Sequence, residues 1–281
     1  MKTLSTISET RAACRRERAK GKRLGFVPTM GALHEGHLSL VRAAKAQCEA
    51  VAVSLFVNPT QFGPTEDLAR YPRQFERDRQ LLEKEGVVIL FAATTEEMYP
   101  KGEVTWVVVE GLSERLDGRS RPGHFRGVTT VVAKLFHILE PDVAFFGQKD
   151  AAQSAVIRRM VRDLNFPVEI VICPIVREPD GLAMSSRNTY LNPDERLRAR
   201  ALQRSLRRVE QKFRAGERSA GRLITAATEI FAQEPQIRMD YFEIVDPDTL
   251  DSVERIERPT LVAVAAYVGT TRLIDNVVLN P

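Results

Sequence analysis

Two histidines three residues apart, His34 and His37, stand in the run Pro28-Thr-Met-Gly-Ala-Leu-His-Glu-Gly-His37 and make up half of the chain's four histidines. On an emerging helical turn, imidazoles at this spacing face one spot. There they can donate protons or hydrogen bonds to charge developing on a phosphoryl group. Gly31 and Gly36 allow a ligand to approach the backbone closely. A helix opening near His37 points free N–H groups and a partial positive charge at the same place. A zinc site would need a third ligand, and none lies nearby in sequence.

Three further clusters suit phosphate and polar small-molecule chemistry. Phe56-Val-Asn58-Pro-Thr-Gln61-Phe-Gly63 offers amide donors and acceptors between aromatic walls, although Asn-Pro alone is an ordinary turn. Gly147-Gln-Lys149-Asp150-Ala-Ala-Gln153 places a lysine for phosphate and a carboxylate for a ribose hydroxyl or a hydrated metal. Met184-Ser185-Ser186-Arg187-Asn188 brings two hydroxyls and a guanidinium, the donor set for β- and γ-phosphates, on a glycine-containing loop that reads as a mobile lid. The basic loop Arg119 to Gly127 fits either an anion contact or a solvated turn.

Elements must hold these clusters together. The runs Leu24–Thr29, Val51–Val57, Val87–Phe91, Trp106–Val109, Val143–Phe146 and Val168–Cys173 are apolar and β-branched, and read as buried strands. Helix-period segments at 37–48, 73–85, 127–139 and 151–164 separate them. Together they predict an α/β fold with a doubly wound, Rossmann-like parallel sheet, whose ligands bind at strand carboxyl ends. Asn192-Pro-Asp-Glu195 is a capped helix start, and three strands near 241–245, 261–268 and 273–278 close the chain. They predict a second, smaller C-terminal α/β domain, with residues 1–175 as the first domain and 176–281 as a lid.

The 281 residues suffice for such a division, and a net charge of +4 selects no partner class. Arginines in 196–222 fit the solvated side of a helix, so no nucleic acid is expected. Cys14, Cys48 and Cys173 are too few and too scattered for a disulfide framework. There is neither a signal-peptide core nor an apolar run of eighteen residues, so no membrane association is expected and the location reads as cytoplasmic.

From about residue 4 to 279 the four clusters, in this order and spacing, resemble the pantothenate synthetase (pantoate–β-alanine ligase) family of the His-x-Gly-His nucleotidyltransferases. The resemblance implies ATP-dependent ligation of pantoate with β-alanine through an enzyme-bound pantoyl adenylate, with AMP and pyrophosphate released. It further implies a homodimer and a need for Mg²⁺. Carried over by motif position, the ATP site would comprise Met30, Gly31, Ala32, Leu33, His34, Glu35, Gly36 and His37. Gly147, Gln148, Lys149, Asp150, Val176, Met184, Ser185, Ser186 and Arg187 would complete it. Gln61 and Gln153 would bind pantoate, Gln61 also facing β-alanine. His37, His34, Lys149 and Arg187 would carry the catalysis. No direct metal ligand is assigned; Asp78 is a candidate for an outer-shell contact. Family members commonly carry a larger residue where this chain has Ala151-Ala152, which bears on the shape of the pantoate pocket. Two other classes stay open on residues alone. One is a nucleotidyltransferase that retains its dinucleotide product; the other is a nucleotide-sensing or RNA-binding protein.

Overall fold

A parallel sheet begins with an edge strand too short to announce itself. In the computed structural model, which describes residues 1–281, β1 (Lys2–Leu4) leads through α1 (Ile7–Arg18) into β2 (Leu24–Thr29). Then follow α2 (Glu35–Gln47), β3 (Ala50–Leu55), α3 (Phe75–Lys84), β4 (Ile89–Phe91) and two short helices, α4 (Thr95–Met98) and α5 (Asp117–Ser120). The lobe closes with α6 (His124–Leu139), β5 (Val143–Gly147), α7 (Ala151–Asp163) and β6 (Glu169–Cys173). All pairings in this sheet are parallel, in the order β1-β4-β3-β2-β5-β6. The chain winds outward from β2 on one side and from β5 on the other, so the switch point lies between these two strands.

The sheet is built to open there. β2 pairs with β3 along its length, from Leu24↔Ala50 to Thr29↔Leu55. With β5 it pairs only at Gly25↔Val143 and Phe26↔Ala144. Past Phe26 the two strands part, and Pro28 stands at the parting, where its missing N–H leaves no gap in a ladder. Gly25 lets α2 pack closely on β2: a Cβ there would lie 3.1 Å from Cys48 Sγ.

The remaining chain forms α8 (Pro193–Arg214), α9 (Ala220–Ala232) and an antiparallel sheet β7 (Ile237–Val245), β8 (Thr260–Val268), β9 (Thr271–Leu279). The predicted cap on α8 is present, with Asn192 Oδ1 accepting from Glu195 N and Glu195 Oε2 accepting from Asn192 N. Both faces of β8 are buried, alternating with the pleat. Val262, Val264 and Ala266 pack beneath α8 and α9, whereas Leu261, Ala263 and Ala265 join the core that includes α6 and α7. The two lobes therefore share an apolar seam.

One expected strand is absent. Trp106–Val109 is irregular and has no β partner. Instead, Val107 N–H donates to Thr130 Oγ1 at 3.0 Å and its carbonyl accepts from Thr129 Oγ1 at 2.6 Å. Side chains of α6 take the place of a neighbouring strand. The three cysteines are free and buried, and no helix is long and apolar enough to cross a membrane.

Candidate active site

The histidine turn begins where β2 ends. Gly31 (φ 85°) and Ala32 (φ 51°) are both left-handed and reverse the chain into α2. Asp78, buried on α3, accepts the N–H groups of Ala32 at 2.7 Å and Leu33 at 2.9 Å. Arg77 donates to Leu33 O at 3.1 Å, and Ser186 of the second lobe donates to Ala32 O at 3.2 Å. Asp78 is 1% exposed and lines neither cavity described below, which corrects its expected outer-shell role with Mg²⁺.

His34 is the extended N-cap residue of α2. Its N–H donates to His37 Nδ1 at 3.3 Å, and the two rings stack with centroids 4.1 Å apart. Because Nδ1 accepts, neutral His37 carries its proton on Nε2 and is a donor there. Gly36 is required by this stack: a Cβ at 36 would sit 2.9 Å from His34 Cε1. Burial pushes His37 down to about 3, aided by His34, and His34 down to about 4, aided by Lys149. Both are neutral hydrogen-bond donors at pH 7 rather than standing cations.

One cavity gathers three of the four motifs. Met30, His34, Gly36 and His37 line it from the first lobe, with Gly147, Lys149 and Asp150 after β5. Val176 and Met184 to Arg187 line it from the second. Met184 N–H donates to Val176 O at 3.0 Å and Arg177 bridges Ala183, so the expected lid loop is a small hairpin, turned at Gly181 (φ 93°). Lys149 Nζ lies 3.4 Å from Asp150 Oδ1. Burial raises the Asp150 pKa, but Lys149 and Arg187 more than offset this and keep the carboxyl ionised. Arg187 grips Asp67 in a bidentate pair, at 2.9 and 2.8 Å.

The predicted nucleotide residues do not all face this space. Gly31, Ala32 and Leu33 lie behind it as the buried turn. Glu35 points outward and pairs with Arg42. Gln148 turns its side chain away to Asn276, at 2.9 Å.

A second cavity shares Pro28, Met30, His37, Asp150, Gln153 and Arg187 with the first and adds Gln61. Its Gln61 is held from several directions. Asn58 Nδ2 donates to Gln61 Oε1 at 3.0 Å and to Gly127 O at 3.1 Å, while Asn58 Oδ1 accepts from Thr60 and Tyr99, each at 2.9 Å. Gly127 permits this fit, since a Cβ there would lie 2.4 Å from Thr60 O. Gln61 Nε2 is left facing Met30 Sδ at 3.1 Å, a weak acceptor that a ligand oxygen replaces easily.

Arg121 and His124 complete the network. Arg121 Nη1 can only donate, so His124 Nε2 accepts at 3.0 Å and its Nδ1–H donates to Gln61 O at 2.8 Å. Burial and Arg121 push His124 down to about 4. Val128, Val131, Val132 and Leu135 of α6 form an apolar wall. Ala151 and Ala152 are buried in the core and line neither cavity.

Tyr71 lines the site without a role expected from sequence, and Arg121 and His124 line it from the loop read as either an anion contact or a solvated turn. The loop carrying Arg121 and His124 stood out by composition, but only the fold brings it onto Gln61. No group of three His, Cys, Asp or Glu side chains is placed to hold a metal ion.

A doubly wound sheet with paired histidines at a helix N-terminus, at the switch point, defines a nucleotide-binding enzyme of the Rossmann-like class. The sequence model of the Pantoate-beta-alanine ligase family matches residues 2–278. The pantothenate synthetase of Acidobacterium capsulatum is 62% identical over 291 residues, covering 100% of this chain and 97% of that protein. A crystal structure of the Thermus thermophilus enzyme superposes with a TM-score of 0.96 at 50% identity, covering 100% of both chains. The pantoate-beta-alanine ligase of Francisella tularensis, complexed with beta-gamma ATP and beta-alanine, gives 0.78 at 32% identity, covering 99% of this chain and 97% of that one. The chain belongs to the pantoate-beta-alanine ligase family.

Proposed function

We propose that the two adjoining cavities are the nucleotide and acid halves of a carboxylate-activating ligase. It joins pantoate to β-alanine in an ATP-dependent reaction and releases AMP and pyrophosphate. The observation that carries this reading is the shared wall: His37, Asp150 and Arg187 belong to both cavities, so a carboxylate in one meets a phosphate chain in the other.

Pantoate lies between Gln61 and Gln153 with its methyl groups on the valine wall of α6, and Gln61 also faces the incoming β-alanine. Its carboxylate attacks the α-phosphorus, the bond from that phosphorus to the α,β-bridging oxygen breaks, and pyrophosphate leaves. The His37 Nε2–H and Lys149 ammonium donate to oxygens that gain charge in the pentacoordinate state, with the His34 ring packed against that of His37. No enzyme nucleophile is required. Ser185, Ser186 and Arg187 hold the β- and γ-phosphates, and Asp150 the ribose. Arg187 must then exchange Asp67 for phosphate oxygens. Mg²⁺, when bound, is carried by those phosphates and neutralises the departing pyrophosphate. The amine of β-alanine then attacks the acyl carbon and AMP departs.

An acyl adenylate is hydrolysed readily, so water must be kept out between the two steps. We read residues 1–175 as the domain that holds the acid and most of the nucleotide site, and 176–281 as the lid. Support comes from the contacts that cross between them at the site, Ser186 to Ala32 and Arg187 to Asp67. A homodimer is supported by Val104, Trp106 and Val108. They are 84%, 41% and 52% exposed on an irregular stretch without a β partner. We place the enzyme in the cytoplasm, where ATP is available. Pantoate labelled with ¹⁸O in its carboxylate tests the mechanism: one label should appear in AMP. Label in inorganic phosphate instead would mean attack on the γ-phosphorus.

A further inference from the structure

The residue that turns the chain toward the histidines is an alanine held where glycine is preferred. Ala32 sits at φ 51°, a conformation that a Cβ disfavours, two residues before His34. Ala32 has no polar side chain to hold itself there, so its neighbours must impose the conformation. Asp78 supplies two of the restraints, through the N–H groups of Ala32 and Leu33 at 2.7 and 2.9 Å. It is 1% exposed, and its only charged neighbour within ion-pair distance is Arg77, at 3.9 Å. One of its oxygens also lies 3.2 Å from where a Cβ on Gly31 would be. Both left-handed residues are therefore packed against a single carboxylate.

We propose that Asp78 is a positioning residue for adenylate formation: it fixes Ala32 left-handed so that the His34 N–H reaches His37 Nδ1 and His37 presents Nε2–H to the α-phosphate. The claim rests on the reading that His37 acts at that phosphate. A carboxylate suits the task because it offers two acceptors to two converging N–H groups. An amide of the same shape offers one acceptor and sets its own N–H₂ against the other donor.

The test is a double-mutant cycle of Asp78→Asn with Ala32→Gly. D78N should slow pyrophosphate release in single turnovers with pantoate by roughly 10- to 100-fold, the scale of misplaced catalytic groups. KM for ATP and for pantoate should stay within about threefold, because the histidines act on the transition state. Conversion of preformed pantoyl adenylate by β-alanine should be unaffected. Glycine takes the left-handed conformation without help, so A32G/D78N should recover about tenfold or more of the lost rate. A readout independent of turnover is the His37 ring ¹⁵N shift, which reports the Nε2–H tautomer. It should become mixed in D78N and return in the double variant.

An unchanged adenylation rate in D78N overturns the proposal, and so does a double variant as slow as D78N. A D78N chain that fails to fold even with Ala32→Gly also overturns it, since Asp78 would then support the whole lobe. His37→Ala separates the two layers. If H37A forms adenylate normally, the histidine reading itself is wrong; if H37A is slow and D78N is not, only the Asp78 claim fails.

Discussion

The two halves of the site are held in opposite ways. Around Gln61, Asn58, Gly127, His124 and Arg121 all belong to one lobe and form a closed hydrogen-bond network with little freedom. Around the phosphate side, Lys149 comes from one lobe and Ser185, Ser186 and Arg187 from the other, and the guanidinium is already paired with Asp67. On the proposed reading, the acid pocket is pre-organised and the nucleotide pocket is assembled from residues of two lobes. Pre-organisation lowers the ordering cost of binding a small, flexible acid. Assembly allows the site to shut only once the phosphates have replaced an internal carboxylate.

The sharpest break of this contrast is at the transition state, which both halves share. His37→Ala should slow adenylate formation by roughly 10²- to 10³-fold, as for loss of one transition-state donor. Stopped-flow pyrophosphate detection measures it, and a defect confined to the β-alanine step would contradict the role.

Asn58→Ala attacks the pre-organised half alone. With Gln61 free to rotate, KM for pantoate should rise by about tenfold, roughly 1.4 kcal/mol of lost orientation, while KM for ATP stays put. The fold should also weaken by roughly 1–3 kcal/mol, since buried partners lose their bonds. Equal changes in both KM values would erase the distinction between the cavities.

Asp67→Asn attacks the assembled half. Releasing Arg187 from its carboxylate should lower KM for ATP by about threefold, since the guanidinium then has less to give up before meeting phosphate. A rise of similar size would mean that Asp67 orients Arg187 for the nucleotide rather than competing with it.

The smallest expected effect is on stability against pH. His34, His37 and His124 sit near 4, 3 and 4 in the folded chain, against about 6.5 when unfolded. Between those values the unfolded chain binds more protons. The stability linked to neutral histidines is therefore complete above pH 6.5 and is lost progressively as pH falls toward 4. Thermal melts should show Tm lower by several degrees at pH 5 than at pH 7, with a smaller loss in His124→Gln. A Tm independent of pH over this range would mean the rings are not buried as described.

The sheet was legible because three of the four motifs sit where strand periodicity gives way to helix periodicity, and such junctions lie at the carboxyl ends of strands. Edge pieces were not. β1 has three residues, and α1 is so rich in charge that Ala13 and Cys14 are its only buried apolar side chains. Trp106–Val109 has a strand's composition, but pairing depends on what lies beside it, which the sequence does not display. Asp78 illustrates the same limit within the site. A carboxylate on a helix next to the motif looks available to a cation, and only the fold turns both oxygens onto Ala32 and Leu33. Arg121 and His124 were visible as a basic loop, but their purpose depends on a carbonyl, Gln61 O, sixty residues away.

The central claim is that the acid is activated before the amine is used. It is tested most directly by mixing enzyme with ATP, Mg²⁺ and pantoate alone and measuring pyrophosphate and AMP separately. About one pyrophosphate per active site should appear in a rapid burst, with AMP held back until β-alanine is added. Pyrophosphate that appears only when β-alanine is present would contradict it.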